Sequence, residues 1–425
     1  MIVYNLFPLL AGTFDKWDGH IARAAEMGFD WIYVNPIQLP GASGSIYSVA
    51  DCFRINPILG DPGSSAPLDD QVRRVTAQAR ASGLKMMTDL VINHCAVDSP
   101  LTREHPDWFV HGSDGRIANA SCLRDQETVV WNDLAQFDHR HTRDPEGLYL
   151  YCLGIVDHFL ALGFEGFRCD AAYQVPQHLW RRLIREVKSR RPGTRFVAET
   201  LGCTADQTRE TARAGFDYVF NSSKWWNFRD WWLIEQYNLI REAAPSIGFP
   251  DSHDTPRLCA ETGGNLNALR QRYLFAALFS AGVMMTMGYE FGFRKPLHVV
   301  HSRPEDWEST DIDLRPFIAR VNAVKKSRTA FQEESPTIIF PCGNPNILLM
   351  SKAAVKHKDE ALLILNKDPW NHQEFHTDSF RHFVQAVAPL NDVSPEYPLE
   401  YVPEPFHYAL RPGQGIVLVT ARSGS

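Results

Sequence analysis

Gly163-Phe164-Glu165-Gly166-Phe167-Arg168-Cys169-Asp170 is a short run that enters on glycine and ends on an aspartate. Alternation along an extended strand puts Gly166, Arg168 and Asp170 on one face, with Phe167 and Cys169 on the other. From Gly166 onward one face is apolar, while the other turns charged toward its C-terminal end. That pattern suits a parallel barrel, in which helices cover the outside and loops converge on a polar opening where the strands end.

The flanking sequence repeats the arrangement. Ile2–Leu10, Trp31–Asn35 and Leu84–Ile92 read as strands before this run; Arg195–Glu199, Phe216–Phe220, Ser246–Phe249 and Val283–Met287 read as strands after it. Helical periodicity fills the intervals at Trp17–Met27, Asp69–Ala81, Gly147–Leu162, Gln177–Arg190, Ala205–Ala214 and Leu266–Ser280. Alternating β and α elements predict a parallel sheet, and eight β runs predict a closed (β/α)8 barrel over residues 1–335. A polar segment at about 95–146 departs from the bare repeat and reads as an excursion at the end of the third strand. From 336 to 425 the short runs Thr337–Phe340, Ile347–Ser351, Ala361–Asn366 and Gly415–Thr420 are separated by Pro, Asn, Asp and Gly. They predict a small antiparallel β-sandwich domain.

Composition narrows the function classes. The 425 residues and 44% hydrophobic content suffice for a barrel with a second domain. A net charge of −7 offers no basic face for nucleic acid or anionic lipid. The eight cysteines form no C-x-x-C pair, so free thiols are expected rather than zinc or a redox dithiol. No stretch is apolar enough for a membrane span, and Ile2–Leu10 follows Met1 without a basic n-region, so a cytoplasmic protein is expected. The sequence sets no oligomeric state.

Three carboxylates stand at C-terminal strand ends: Asp170, Glu199 in Phe-Val-Ala-Glu-Thr, and Asp254 in Ser-His-Asp-Thr-Pro. Retaining chemistry at a glycosidic bond needs one carboxylate to attack the anomeric carbon and one acid to protonate the leaving oxygen, about 5 Å apart. Neighbouring barrel strands present such a pair. Arg168, two residues before Asp170 on the same face, sets a fixed positive charge beside the nucleophile candidate. Glu199 must instead keep a proton near neutral pH. Taken one at a time, each carboxylate is equally well read as the cap of the following helix; His94 and His253 beside the set argue against that reading for all three together.

Asp89–His94 (Asp-Leu-Val-Ile-Asn-His), Gly166–Asp170, Glu199 and His253–Asp254 resemble, in order and placement, the four motifs of glycoside hydrolase family 13. The resemblance covers essentially the whole chain. It implies Asp170 as nucleophile, Glu199 as acid/base and Asp254 as the third carboxylate, which engages sugar hydroxyls. It also implies that His94, Arg168 and His253 line the reacting subsite, with Tyr47 as the stacking tyrosine and Asp51, four residues on, as a further substrate-binding residue; the usual glycine before Tyr47 is Ile46 here. Asp89 is expected to order the floor of the site. Asn93 stands where many members bind calcium, yet no dense cluster of oxygen ligands accompanies it. No cofactor is therefore required, with Ca²⁺ at Asn93 as the alternative.

Trp225 and Trp226, in the aromatic run Lys224–Trp232, are candidates for an acceptor platform, while Phe228, Trp231 and Trp232 recur at helical spacing. Glu104–Phe109 and Gly288–Glu290 are similar to the branch that transfers maltosyl units from maltose 1-phosphate. The expected function is hydrolysis of α-1,4-linked glucose oligosaccharides through a covalent glycosyl-enzyme. The alternative is transglycosylation by the same double displacement, with a maltooligosaccharide or related α-glucan as partner in either case. A barrel that binds sugar or protein without turnover is the remaining class, and it would be marked by loss of the carboxylates.

Overall fold

The computed structural model describes residues 1–124, 127–355, 359–385 and 389–421. Residues 125 and 126 of the expected excursion, and 356–358, 386–388 and 422–425 of the expected second domain, lie outside that set. Eight parallel strands close a barrel: β1 Ile2–Leu6, β2 Trp31–Val34, β3 Lys85–Leu90, β4 Gly166–Cys169, β5 Arg195–Ala198, β6 Tyr218–Phe220, β7 Ser246–Gly248 and β8 Gly282–Thr286. Each pairs with its neighbours in sequence, and the ring shuts where Ile2 of β1 pairs with Val283 of β8. Val3, Trp31, Tyr33, Met87, Val197, Phe220, Ile247 and Met284 fill the interior, while Phe167, Cys169, Phe196 and Ala198 join the larger core under the helices. Gly166 is small by necessity, because a Cβ there would lie 2.9 Å from the Arg195 carbonyl and 3.1 Å from the Trp31 ring.

The strands are shorter than the apolar runs suggest. β1 stops at Leu6 because Pro8 opens a helical turn, Pro8–Ala11, in which its missing N–H costs nothing. The loop after β2 folds into an antiparallel pair, Gln38–Pro40 with Val49–Ile55. The excursion after β3 contains a three-stranded antiparallel sheet of His94–Ala96, Asn119–Arg124 and Glu127–Gln136. Within the run Lys224–Trp232, only Trp232 begins a helix, and Trp231 is 58% exposed rather than core.

Beyond the barrel, a five-stranded sheet runs in the order Thr337–Phe340, Ile347–Ala353, Glu360–Asn366, Gly415–Thr420, Leu390–Asp392. A two-stranded sheet, Gln373–Thr377 with Phe406–Leu410, packs on it through Ile364, Leu418, Phe375 and Phe406. Gln373–Thr377 and Leu390–Asp392 carry too few apolar residues to stand out in the sequence. Polar contacts join this sheet to the barrel helices. Gln271 donates to the Asn366 carbonyl at 2.6 Å, and the buried Lys352 ammonium donates to the carbonyl of Phe279.

Lys325, fully buried on helix Arg315–Ser327, donates to the carbonyls of Ala277, Ser280 and Phe331 at 2.6–2.7 Å. Removing the ammonium strands those carbonyls without partners. Lys325→Met is expected to lower stability in urea unfolding by about 3 kcal/mol; an unchanged midpoint would contradict the role given to these bonds.

Candidate functional site

β3, β4 and β5 end beside one another, and their last residues build the centre of the site. Cys169 pairs with Ala198, so Asp170 and Glu199 follow on adjacent parallel strands in register. Glu199 N–H donates to the Cys169 carbonyl at 3.0 Å, and Asp170 N–H to the Leu90 carbonyl at 3.1 Å.

Arg168 is the hub of the floor. Its Nη1 lies 2.7 Å from Asp89 Oδ1 and 2.6 Å from Asp170 Oδ1. Asp89 is fully buried and accepts two further hydrogen bonds on Oδ2, from Tyr33 at 2.5 Å and Tyr47 at 2.8 Å. Its contacts are those of an orienting group, as expected. Tyr47 is half-buried, and its hydroxyl also meets Asn35 Nδ2 at 2.9 Å and His253 Nε2 at 2.7 Å. His253 Nε2 is 2.9 Å from Asp254 Oδ2 as well. With the Tyr47 hydrogen directed to Asp89, the His253 Nε2 proton is shared between the Tyr47 oxygen and Asp254; this tautomer is assigned from the partners. The Asp254 side chain is 53% exposed at the mouth. His94 is buried, its Nε2 3.1 Å from the Tyr47 carbonyl.

Glu199 is held differently. Oε2 accepts from the Ala171 N–H at 2.8 Å, and Oε1 from the Leu201 N–H at 2.7 Å. Ala171 takes a left-handed conformation, φ 39°, which is uncommon for a residue with a side chain and turns its amide toward Glu199. Burial raises the Glu199 carboxyl to about 7, with the Asp170 charge adding to the rise and Arg168 opposing it. One carboxylate is therefore paired with a guanidinium, while its neighbour is placed to carry a proton near neutral pH.

The other expected site residues divide. Asp51 Oδ1 accepts from the Phe53 N–H within its own strand pair, a local bond outside this network. Trp225 is half-exposed and meets Phe249, just past β7, edge to face at 6.0 Å. Trp226 corrects the expectation of a platform: it is 2% exposed, packed on Phe228 and Phe275, with its indole N–H on the Asp230 carbonyl, so no face is open to a sugar. Glu290 accepts from Tyr4 at 2.8 Å and from the Gly288 N–H at 2.8 Å in the core, and Trp108 is buried with its N–H on Asp144. Tyr33, Asn35, Ala171 and Leu201 were not singled out by sequence. The inward face of β2 pointed to Tyr33, whereas nothing in the chain marks the left-handed alanine.

Asn93 tests the calcium alternative. Its Nδ2 donates to Gln174 Oε1 at 3.4 Å, and its buried Oδ1 has no hydrogen-bond partner among the described residues. His139 Nε2 lies 2.5 Å from the adjacent Ile92 carbonyl. Among the described residues no group of three or more His, Cys, Asp or Glu is placed to hold a metal. No helix among the described residues is long and apolar enough to cross a membrane.

Comparisons with known proteins bear on the sequence and the fold. Residues 2–111 match the family model for the glucanotransferase domain of glycogen debranching enzyme. The α-1,4-glucan:maltose-1-phosphate maltosyltransferase of Mycobacterium tuberculosis is 28% identical over 407 residues, covering 85% of this chain and 54% of that protein. The enzyme of the same name from Burkholderia pseudomallei is 25% identical over 367 residues, covering 84% of this chain and 32% of that one. The chain thus spans between a third and just over half of the length of these relatives. In fold it is similar to α-amylases from Lactobacillus plantarum (TM-score 0.78, 19% identity, 99% of this chain and 98% of that one) and Geobacillus thermoleovorans (TM-score 0.79, 14% identity, 100% and 98%). The chain has the fold of these α-amylases, and in sequence it resembles the maltose-1-phosphate maltosyltransferases.

Because the Asp170 charge contributes to the rise of Glu199, Asp170→Asn is expected to move the Glu199 titration downward from about 7. Carboxyl ¹³C NMR across pH 4–9 would read the shift; an unmoved or higher midpoint would break the electrostatic link between the two.

Proposed function

We propose that this site transfers α-glycosyl units between α-1,4-linked glucose oligomers by double displacement. A carboxylate oxygen of Asp170 forms a bond to the anomeric carbon as the glycosidic C–O bond breaks, and Glu199 gives its proton to the departing oxygen. The product is a glycosyl ester on Asp170. Glu199, now a carboxylate, then takes the proton of an incoming sugar hydroxyl whose oxygen displaces the ester. Arg168 fixes Asp170 through the 2.6 Å ion pair, and Asp254 at the mouth is placed to meet sugar hydroxyls.

The observation that carries the reading is the in-register pair on β4 and β5, with one member paired to Arg168 and the other raised to about 7. Transfer is preferred to hydrolysis, the reading favoured by the sequence alone, because the relatives that match five-sixths of this chain are named maltosyltransferases and the matching family model is a glucanotransferase domain.

Maltoheptaose, incubated alone and with maltose 1-phosphate, is expected to yield chains longer than seven units on chromatography. Short sugars without longer ones would select hydrolysis, and no change in either mixture would remove the proposal. Asp170→Asn is expected to lower turnover on the order of 10⁴-fold with the fold intact.

A further inference from the structure

The excursion sheet holds an irregularity that the reaction described above leaves unexplained. In the pair Asn119–Arg124 with Glu127–Gln136, Ser121 faces Val130 while Asn119 faces Ala135. One residue, Ala120, therefore stands against four, Trp131 to Leu134. An interruption of this kind re-aims side chains and is common beside active sites.

This bulge is held in place at both ends. The Asn119 side-chain amide donates to the carbonyls of Asn132 and Leu134 at 3.2 and 3.1 Å. The Asp133 carbonyl accepts from the Ser48 hydroxyl at 2.9 Å and from the Val97 N–H at 3.0 Å, which fastens the bulge to the residue after Tyr47. At the other end, Gln174 Nε2 donates to the Ser121 carbonyl at 3.3 Å, and Gln174 sits four residues past Asp170 in the turn that Ala171 opens. The segment thus runs along the rim between the Tyr47 wall and the Asp170 loop. It carries Trp131 with 40% of its surface exposed, next to the exposed Val129 and Val130.

An exposed indole on a fixed bulge at the rim of a polar site offers a flat apolar surface on which the C–H face of a pyranose ring can stack. Nucleic acid is disfavoured by the net charge of −7. We propose that Trp131 is the acceptor platform, stacking on a sugar ring of the incoming α-glucan and presenting its free hydroxyl to the glycosyl ester on Asp170. This rests on the transfer reading above. Trp131 is on this view a binding and specificity residue and takes no part in making the ester.

α-Maltosyl fluoride separates the two steps, because Asp170 displaces fluoride from C1 without any acceptor. Wild-type protein, Trp131→Ala and Trp131→Phe would be compared for the initial burst of fluoride and for the acceptor KM of maltohexaose, with thermal midpoints as the control for folding. Trp131→Ala is expected to keep the burst and raise the acceptor KM about tenfold, and Trp131→Phe to recover most of the loss. An acceptor KM that moves less than about twofold, or a burst that falls in parallel, would overturn the platform while leaving the transfer reading intact. If the wild-type protein releases no fluoride, the transfer reading itself falls and the platform with it.

Discussion

A single buried guanidinium organises this molecule's polar end. Arg168 is almost fully enclosed, and a cation in that position is stable only with negative charge and hydrogen bonds around it. Asp89 and Asp170 supply the charge, one from β3 and one from the end of β4. Asp89 in turn gathers the hydroxyls of Tyr33 and Tyr47, and Tyr47 reaches His253 in the loop after β7. The chain of contacts crosses the mouth of the barrel, so four strands are committed to one arrangement by one charge. Removing either carboxylate would leave the arginine short of a partner in a low-dielectric setting, which is why the floor is expected to act as a unit.

Glu199 stands outside that chain and is governed by different physics. Main-chain amides orient it, and burial rather than a charge partner determines its protonation. Burial thus raises the proton affinity of Glu199, while Asp170 on the adjacent strand is held by an ion pair, a division of labour set by surroundings.

Much of this was legible in the chain. Asp89, Arg168 and Asp170 alternate inward at known distances from strand ends, and period-two patterning gives their facing directly, so the strand-end carboxylates and their arginine could be placed before any coordinates. Strand limits were less legible, because an apolar run such as Ile2–Leu10 serves a strand and a following turn equally well, and only Pro8 marks the change. Trp226 misled for a related reason: an aromatic residue in a loop is read as a possible surface until the ring it packs on, here Phe275, is known. Ala171 was beyond reach, since alanine has no local preference for the left-handed region it occupies and is held there by contacts distant in sequence. The bulge at Trp131 was hidden likewise, because register depends on both strands at once.

The seam between Ile2 and Val283 has a bearing on how the chain assembles. β1 is made first, yet one of its two edges has no partner until nearly three hundred further residues have left the ribosome. A buried, largely apolar strand with an open edge invites pairing with other chains. During that interval protection must come from the helices that cover β1 and from β2, which reaches it early. Assembly that waits on so distant a contact is slow, and the nascent half-barrel is the state in which this protein is most exposed to aggregation.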